Sequence, residues 1–272
     1  MRTAETRLRA AKAEAGVVSE AGVDGSGLIG GELTPLVTTL GSLEAKRISA
    51  NPIWAAVLTR QLAAAGIGPG DLIAAGFSGS FPGLNLAVAT AAHALEADLI
   101  AVSSVTASTW GANQPGFTWP EMECRLVPAL MPRASIAVTA GGDGDMARDL
   151  EPEGRQIAWS IRDSAAHCLG VAALRPADFE DAIQQRLSAY RRAANGRPIV
   201  LYVNVGGTSA SLGESPAVLG LKSGLVRPGR FDRSERRGVM ARFADQGVRV
   251  LTLLNVRDLA IRWGIPLTVP GG

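Results

Sequence analysis

The chain has 272 residues, 47% of them hydrophobic and 19% charged: enough apolar material for a sizeable core, and a balance that excludes overall disorder. A net charge of +2 decides little about partners, and 5% aromatic residues leave Ala, Val, Leu and Ile to fill the interior. Two histidines (His93, His167) and two distant cysteines argue against a zinc site, and Cys124 and Cys168 read as reduced core residues.

Residues 2–16 read as a polar helix, a projecting or docking arm, and the Gly-rich run 22–31 as a linker or loop. The arm with its linker takes residues 1–25 and a single α/β domain residues 26–272. Segment 33–47 is rich in hydroxyls and has little hydrophobic period. Pro52 then opens a helix that runs to Gly66.

From there strands and helices alternate. The apolar runs 72–77, 99–105, 134–140, 198–205 and 248–254 read as buried strands, with 170–174 as a weak one. Helices are expected over 84–97, around 119–130, from Pro152 to Cys168, after Pro176, over 234–247 and at 255–264. This alternation predicts a mostly parallel sheet of about five or six strands covered by helices on both faces. No signal peptide is visible, and the longest uncharged stretch, Leu72 to Leu95, is broken by Ser78, Gly79, Ser80, Pro82 and Asn85. The chain itself therefore reads as soluble, with no transmembrane segment.

Open α/β sheets bind ligands beyond the carboxyl ends of their strands. Those ends carry Ser78, Gly79, Ser80, Phe81 and Asn85; Ser103, Ser104, Thr106, Ser108 and Asn113; the turn GGDGD at 141–145; Asn204, Gly206, Gly207, Thr208 and Ser209; and Asn255 and Arg257. Their recurrence predicts one polar cleft. Loop 77–85 (FSGSFPGLN) precedes a helix whose first amides would make an anion pocket. It matches neither a dinucleotide fingerprint nor a P-loop. Ser78 or Ser80 could act as nucleophile if Lys46 served as base. Lys46 also reads as a surface lysine near Glu44. Asp143 and Asp145 fit tight-turn chemistry as well as a metal, and the site is read as holding no metal and no cofactor. At least one of Trp110 and Trp119 is expected to be buried. The run Lys222, Arg227, Arg230, Arg233, Arg236 and Arg237 reads as a solvated loop or a polyanion patch, and without interleaved aromatics nucleic acid is not expected as a partner.

Six segments resemble the poly-gamma-glutamate system protein family: LTPLVTTLGSLEAKR (33–47), FSGSFPGLN (77–85), SSVTASTWGANQPGFTWPEME (103–123), GGDGD, VNVGGTSASLG (203–213) and LLNVRDLAIRWGIPL (253–267). The resemblance spans roughly residues 26–267. It implies an envelope-associated accessory of poly-γ-glutamate synthesis and export. Its partner would be poly-γ-glutamate or a glutamyl intermediate, with membrane synthase or export components beside it. Family members usually begin with an apolar anchor, whereas residues 1–16 here are charged and Ala-rich. The expected function is therefore carboxylate binding in the strand-end cleft. The alternatives are a serine-dependent amide hydrolase or transferase acting on γ-glutamyl bonds, and a non-catalytic scaffold of the synthase complex.

Overall fold

The run Leu72–Phe77 (β1) has no charge and no proline, and all six of its residues are buried, as a strand covered on both faces requires. In the computed structural model, which describes residues 1–17, 26–215, 220–226 and 237–268, β1 lies at the middle of a seven-stranded sheet. The other strands are β2 (Asp98–Ser104), β3 (Ser135–Thr139), β4 (Ala172–Ala173), β5 (Ile199–Val205), β6 (Gly224–Val226) and β7 (Arg249–Leu253). Their order is β4-β3-β2-β1-β5-β7-β6, and every neighbouring pair is parallel except β6 with β7. The fold is α/β. The strand beyond the expected number is β6, three residues in the segment read as a basic loop. It is too short to show a period, and it closes one edge antiparallel. Arg227, Arg230, Arg233 and Arg236 of that basic run lie outside the described residues.

The helices are α1 (Arg2–Glu14), α2 (Leu43–Ser49), α3 (Ile53–Ala64), α4 (Pro82–Ala94), α5 (Trp119–Leu126), α6 (Pro152–Leu169), α7 (Phe179–Ala194), α8 (Ser209–Leu212), α9 (Val239–Asp245) and α10 (Val256–Trp263). The two-residue period of β1 divides them between the faces. Ile73, Ala75 and Phe77 join a core with Trp54 and Leu58 of α3, Leu84 and Val88 of α4 and Leu259 of α10. Ala74 turns the other way, to Ile183 and Tyr190 of α7 and Phe243 of α9. Among the described residues no helix is long and apolar enough to cross a membrane.

Two local expectations need correction. The α1 arm does not project: Ala4 and Leu8 belong to the first core, and Lys12 Nζ donates to the Ile29 carbonyl at 2.8 Å. Cys124 and Cys168 are not separate thiols but form a disulfide between α5 and α6, with Cα atoms 6.3 Å apart. Their 44-residue separation concealed that α5 and α6 pack side by side.

Gly83, in the first turn of α4, is required by close approach. A Cβ there would lie 2.3 Å from the Ser49 carbonyl oxygen and 2.9 Å from Ala50 Cα, both backbone atoms of the α2 end. Gly83→Ala should therefore destabilise the fold by about 1–3 kcal/mol, the usual range for overpacking, read as a lowered urea midpoint at unchanged m-value.

Candidate functional site

The chain leaves β1 for β2 on one side and, after β4, returns to β5 on the other. The β1 and β5 loops thus diverge at a topological switch point, where open α/β sheets form their binding crevice. A cavity of about 190 Å³ lies there. It is lined by Ser78 and Ser80 after β1, Thr106 after β2, Gly142, Asp143 and Asp149 after β3, and Gly207, Thr208 and Ser209 after β5. Thr38 and Thr39, just before α2, complete the wall.

Lys46 stands behind that wall. The Ser42 hydroxyl accepts from the Ala45 amide and starts α2, which turns Lys46 inward one turn later. Lys46 is 3% exposed, so it is not the surface partner of Glu44. Its Nζ donates to the Ser80 carbonyl at 2.5 Å and lies 2.7 Å from Ser108 Oγ, with the Phe81 ring centroid at 4.0 Å. No carboxylate pairs with it among the described residues. Burial disfavours the charged ammonium and brings its pKa from 10.5 down to about 7. The Ser108 amide donates to Ser80 Oγ at 3.1 Å, and the Ser80 amide to Ser78 Oγ at 3.0 Å. One amine and three serines therefore form a continuous chain. Residues 38–41 strap it down: Thr38 N donates to Ala107 O at 3.0 Å, Thr109 N to Thr39 O at 2.9 Å, and Gly41 N to Thr109 Oγ1 at 2.6 Å.

The other expected site residues divide. Ser78, Ser80, Gly207 and Thr208 line the cavity, while Gly79 and Phe81 back it. A Cβ on Gly79 would come within 2.8 Å of the Thr106 carbonyl oxygen, so this glycine serves loop-to-loop packing. Gly206 takes a φ of +63° that turns the chain out of β5. Asn204 is turned away, donating to Gly206 O at 2.5 Å and accepting from Ser211 Oγ at 2.6 Å. Asn113 ties Gly31 through both its amide N–H and its carbonyl, and Ser104 donates to Phe77 O. Asn85 donates to Ser78 O at 2.9 Å. Arg257 stands apart on the surface, 3.5 Å from Glu44. The start of α4 offers little to an anion: Pro82 has no N–H, and its first turn packs against α2. Trp119 is fully buried and donates to Ser103 Oγ, whereas Trp110 is half-buried. No group of three or more metal-ligating side chains occurs among the described residues.

Under the cavity lies a pair that sequence reading missed. Arg186 of α7 grips Asp145 through Nε and Nη2, at 2.5 and 2.8 Å, and both side chains are 1% exposed. Burial alone would lower the arginine's proton affinity, but the facing Asp145 carboxylate outweighs it and the pKa is raised. Arg186 also donates to Thr208 Oγ1 at 3.3 Å, joining the β3 and β5 loops. The available signal was an arginine on the apolar stripe Ala182, Ile183, Ala189, Tyr190. Ser108 was legible as a strand-end hydroxyl, but not as the neighbour of Lys46.

Compared with family models, curated proteins and solved structures, the chain matches none.

Proposed function

We propose that the cleft is the active site of a serine-dependent acyl-transfer enzyme, an amide hydrolase or transferase, with Lys46 as general base and Ser108 as nucleophile. The observation that carries this reading is a buried lysine, without a countercharge among the described residues, whose Nζ lies 2.7 Å from a serine hydroxyl. At neutral pH a substantial share of Lys46 is the free amine. That amine takes the proton from Ser108 Oγ as the oxygen attacks a carbonyl. It then returns the proton to the departing nitrogen as the C–N bond breaks. Water or a second amine releases the acyl group from the serine. The strap at 38–41 covers Ser108, which is not among the residues lining the cavity, so a substrate reaches its Oγ only when the strap opens; Ser80 is the hydroxyl on the cavity side.

The resemblance supports γ-glutamyl amides as the substrate class. Five of its six segments contribute residues to this one cavity wall: Thr38 and Thr39, Ser78 and Ser80, Thr106, Gly142 and Asp143, and Gly207 to Ser209. The same convergence supports a second reading, an accessory that holds poly-γ-glutamate beside membrane synthase or export components. Among the described residues the wall carries Asp143 and Asp149 and no arginine or lysine, which disfavours holding a long polyanion there, and the Lys46–Ser108 pair, which a passive holder does not need, favours the enzyme.

Treatment with a fluorophosphonate followed by peptide mass spectrometry tests the proposal. A covalent adduct is expected on Ser108, absent in Ser108→Ala and strongly reduced in Lys46→Met, with Ser80→Ala still labelled. An adduct on Ser80 alone would move the nucleophile to that residue. No adduct on any of the three serines, with saturable binding of oligo-γ-glutamate by calorimetry, would replace the enzyme by the accessory.

A further inference from the structure

A second cavity, of about 470 Å³, opens on the far side of the GGDGD turn. Its wall is unlike that of the first. Arg155, Trp159 and Arg162 come from one face of α6 at spacings of four and three residues, Arg148 from the turn before it, and Arg175 from the segment leading to α7. Asp145 also reaches this wall, but its charge is taken up by Arg186.

The four guanidinium groups are held rather than free. Arg155 is braced on the carbonyls of Ala147, Arg148 and Leu150 at 3.0–3.3 Å, and Arg148 donates to Ala177 O at 2.9 Å. Neither meets a carboxylate among the described residues. Arg162 and Arg175 share a single one, Asp163, at 2.7 and 3.0 Å. One acidic side chain thus serves four arginines, leaving a surplus of positive charge in a concave, partly enclosed space. Such a field concentrates anions, and pre-set guanidinium forks match the geometry of oxyanions. Trp159 is 40% exposed and anchors its indole N–H on Met146 O at 3.3 Å, so its ring forms a fixed apolar wall beside the charges.

We propose that this cavity binds a ligand bearing two or more oxyanion groups, phosphates or carboxylates, joined by an apolar or planar portion that rests on Trp159. The site is separate from the serine–lysine cleft and stands whether or not that cleft is catalytic. The GGDGD turn divides the two, with Asp143 on the first wall and Asp145 on the second.

The test is calorimetric titration of the full chain with tripolyphosphate and, separately, with penta-γ-glutamate, at low and at raised ionic strength. At least one is expected to bind with a Kd below roughly 1 mM, more weakly as salt rises, and which one binds identifies the class of oxyanion. The double variant Arg148→Gln/Arg175→Gln should weaken that binding at least about tenfold. The single variant Arg175→Gln serves as a second probe, since this side chain is well exposed and its loss spares the fold. Quenching of Trp159 fluorescence should accompany binding and vanish in Trp159→Phe. Absence of binding by both probes, or binding by the double and single variants as strong as by the native chain, would overturn the assignment.

Discussion

Lys46→Met should lower turnover of a γ-glutamyl anilide by about 10³-fold, within the range that a positioned general base supplies. In the native chain, kcat/KM should rise with pH through about 7, where Lys46 becomes the free amine, and this limb should be absent from the residual activity of the variant. The same residue predicts an effect on stability of opposite sign. The unfolded chain holds a lysine proton up to about 10.5, while the folded chain releases it at about 7. Between these values the unfolded state binds more protons, so stability rises with pH. Above the upper value neither state is charged, and below the lower one the folded state bears the full cost of a buried ammonium. The slope is about 1.4 kcal/mol per pH unit, on the order of 5 kcal/mol across the window. Urea unfolding at pH 7 and pH 9 isolates it as the difference between native and Lys46→Met proteins. The variant should lose this slope and gain stability most clearly at pH 7, offset in part by the Ser80 carbonyl left unpaired. Parallel pH profiles in the two proteins would mean that Lys46 is charged where it sits, and the base would be lost with it.

The regular part of the fold was legible because its signals are local. The run LIAAGF reads as a buried strand and is one, and the helix read from Pro152 to Cys168 is α6, Pro152–Leu169. The position of the cleft was legible too, since polar strand ends fall at one edge of a parallel sheet. What escaped depends on contacts between distant segments. Lys46 looks like any helical lysine next to Glu44, and only packing of α2 against the β1 loop buries it. The Cys124–Cys168 bond and the Asp145–Arg186 pair join residues 44 and 41 positions apart, which no periodicity encodes. Strand β6 has three residues, fewer than any alternation needs. The basic face at Arg155, Trp159 and Arg162 was, by contrast, open to reading at helical spacing.

Arg186→Leu should destabilise the fold by about 3–5 kcal/mol, because it leaves the Asp145 carboxylate in a space that is 1% exposed with Thr139 Oγ1, at 3.2 Å, as its remaining side-chain donor among the described residues. Asp145 is held at a φ of +62°, a conformation that asparagine tolerates, so Arg186→Leu/Asp145→Asn removes both charges without adding backbone strain. The double variant should recover much of the loss in urea unfolding, since the main penalty of the single change is the uncompensated charge. Recovery of function should be smaller. Arg186 also bonds Thr208, whose side chain caps α8, and Ser209 Oγ accepts from the Gly144 amide at 2.7 Å. These links hold the β3 turn and the β5 loop at one separation, and both line the cavity below which the pair sits. With the charges gone the fold no longer carries a buried ion, but the two walls lose the fork that sets their spacing. Turnover of the γ-glutamyl probe should therefore stay depressed, with a raised KM, in a double variant that unfolds nearly as late as the native chain. Equal recovery of stability and KM would show instead that Arg186 does no more than neutralise Asp145.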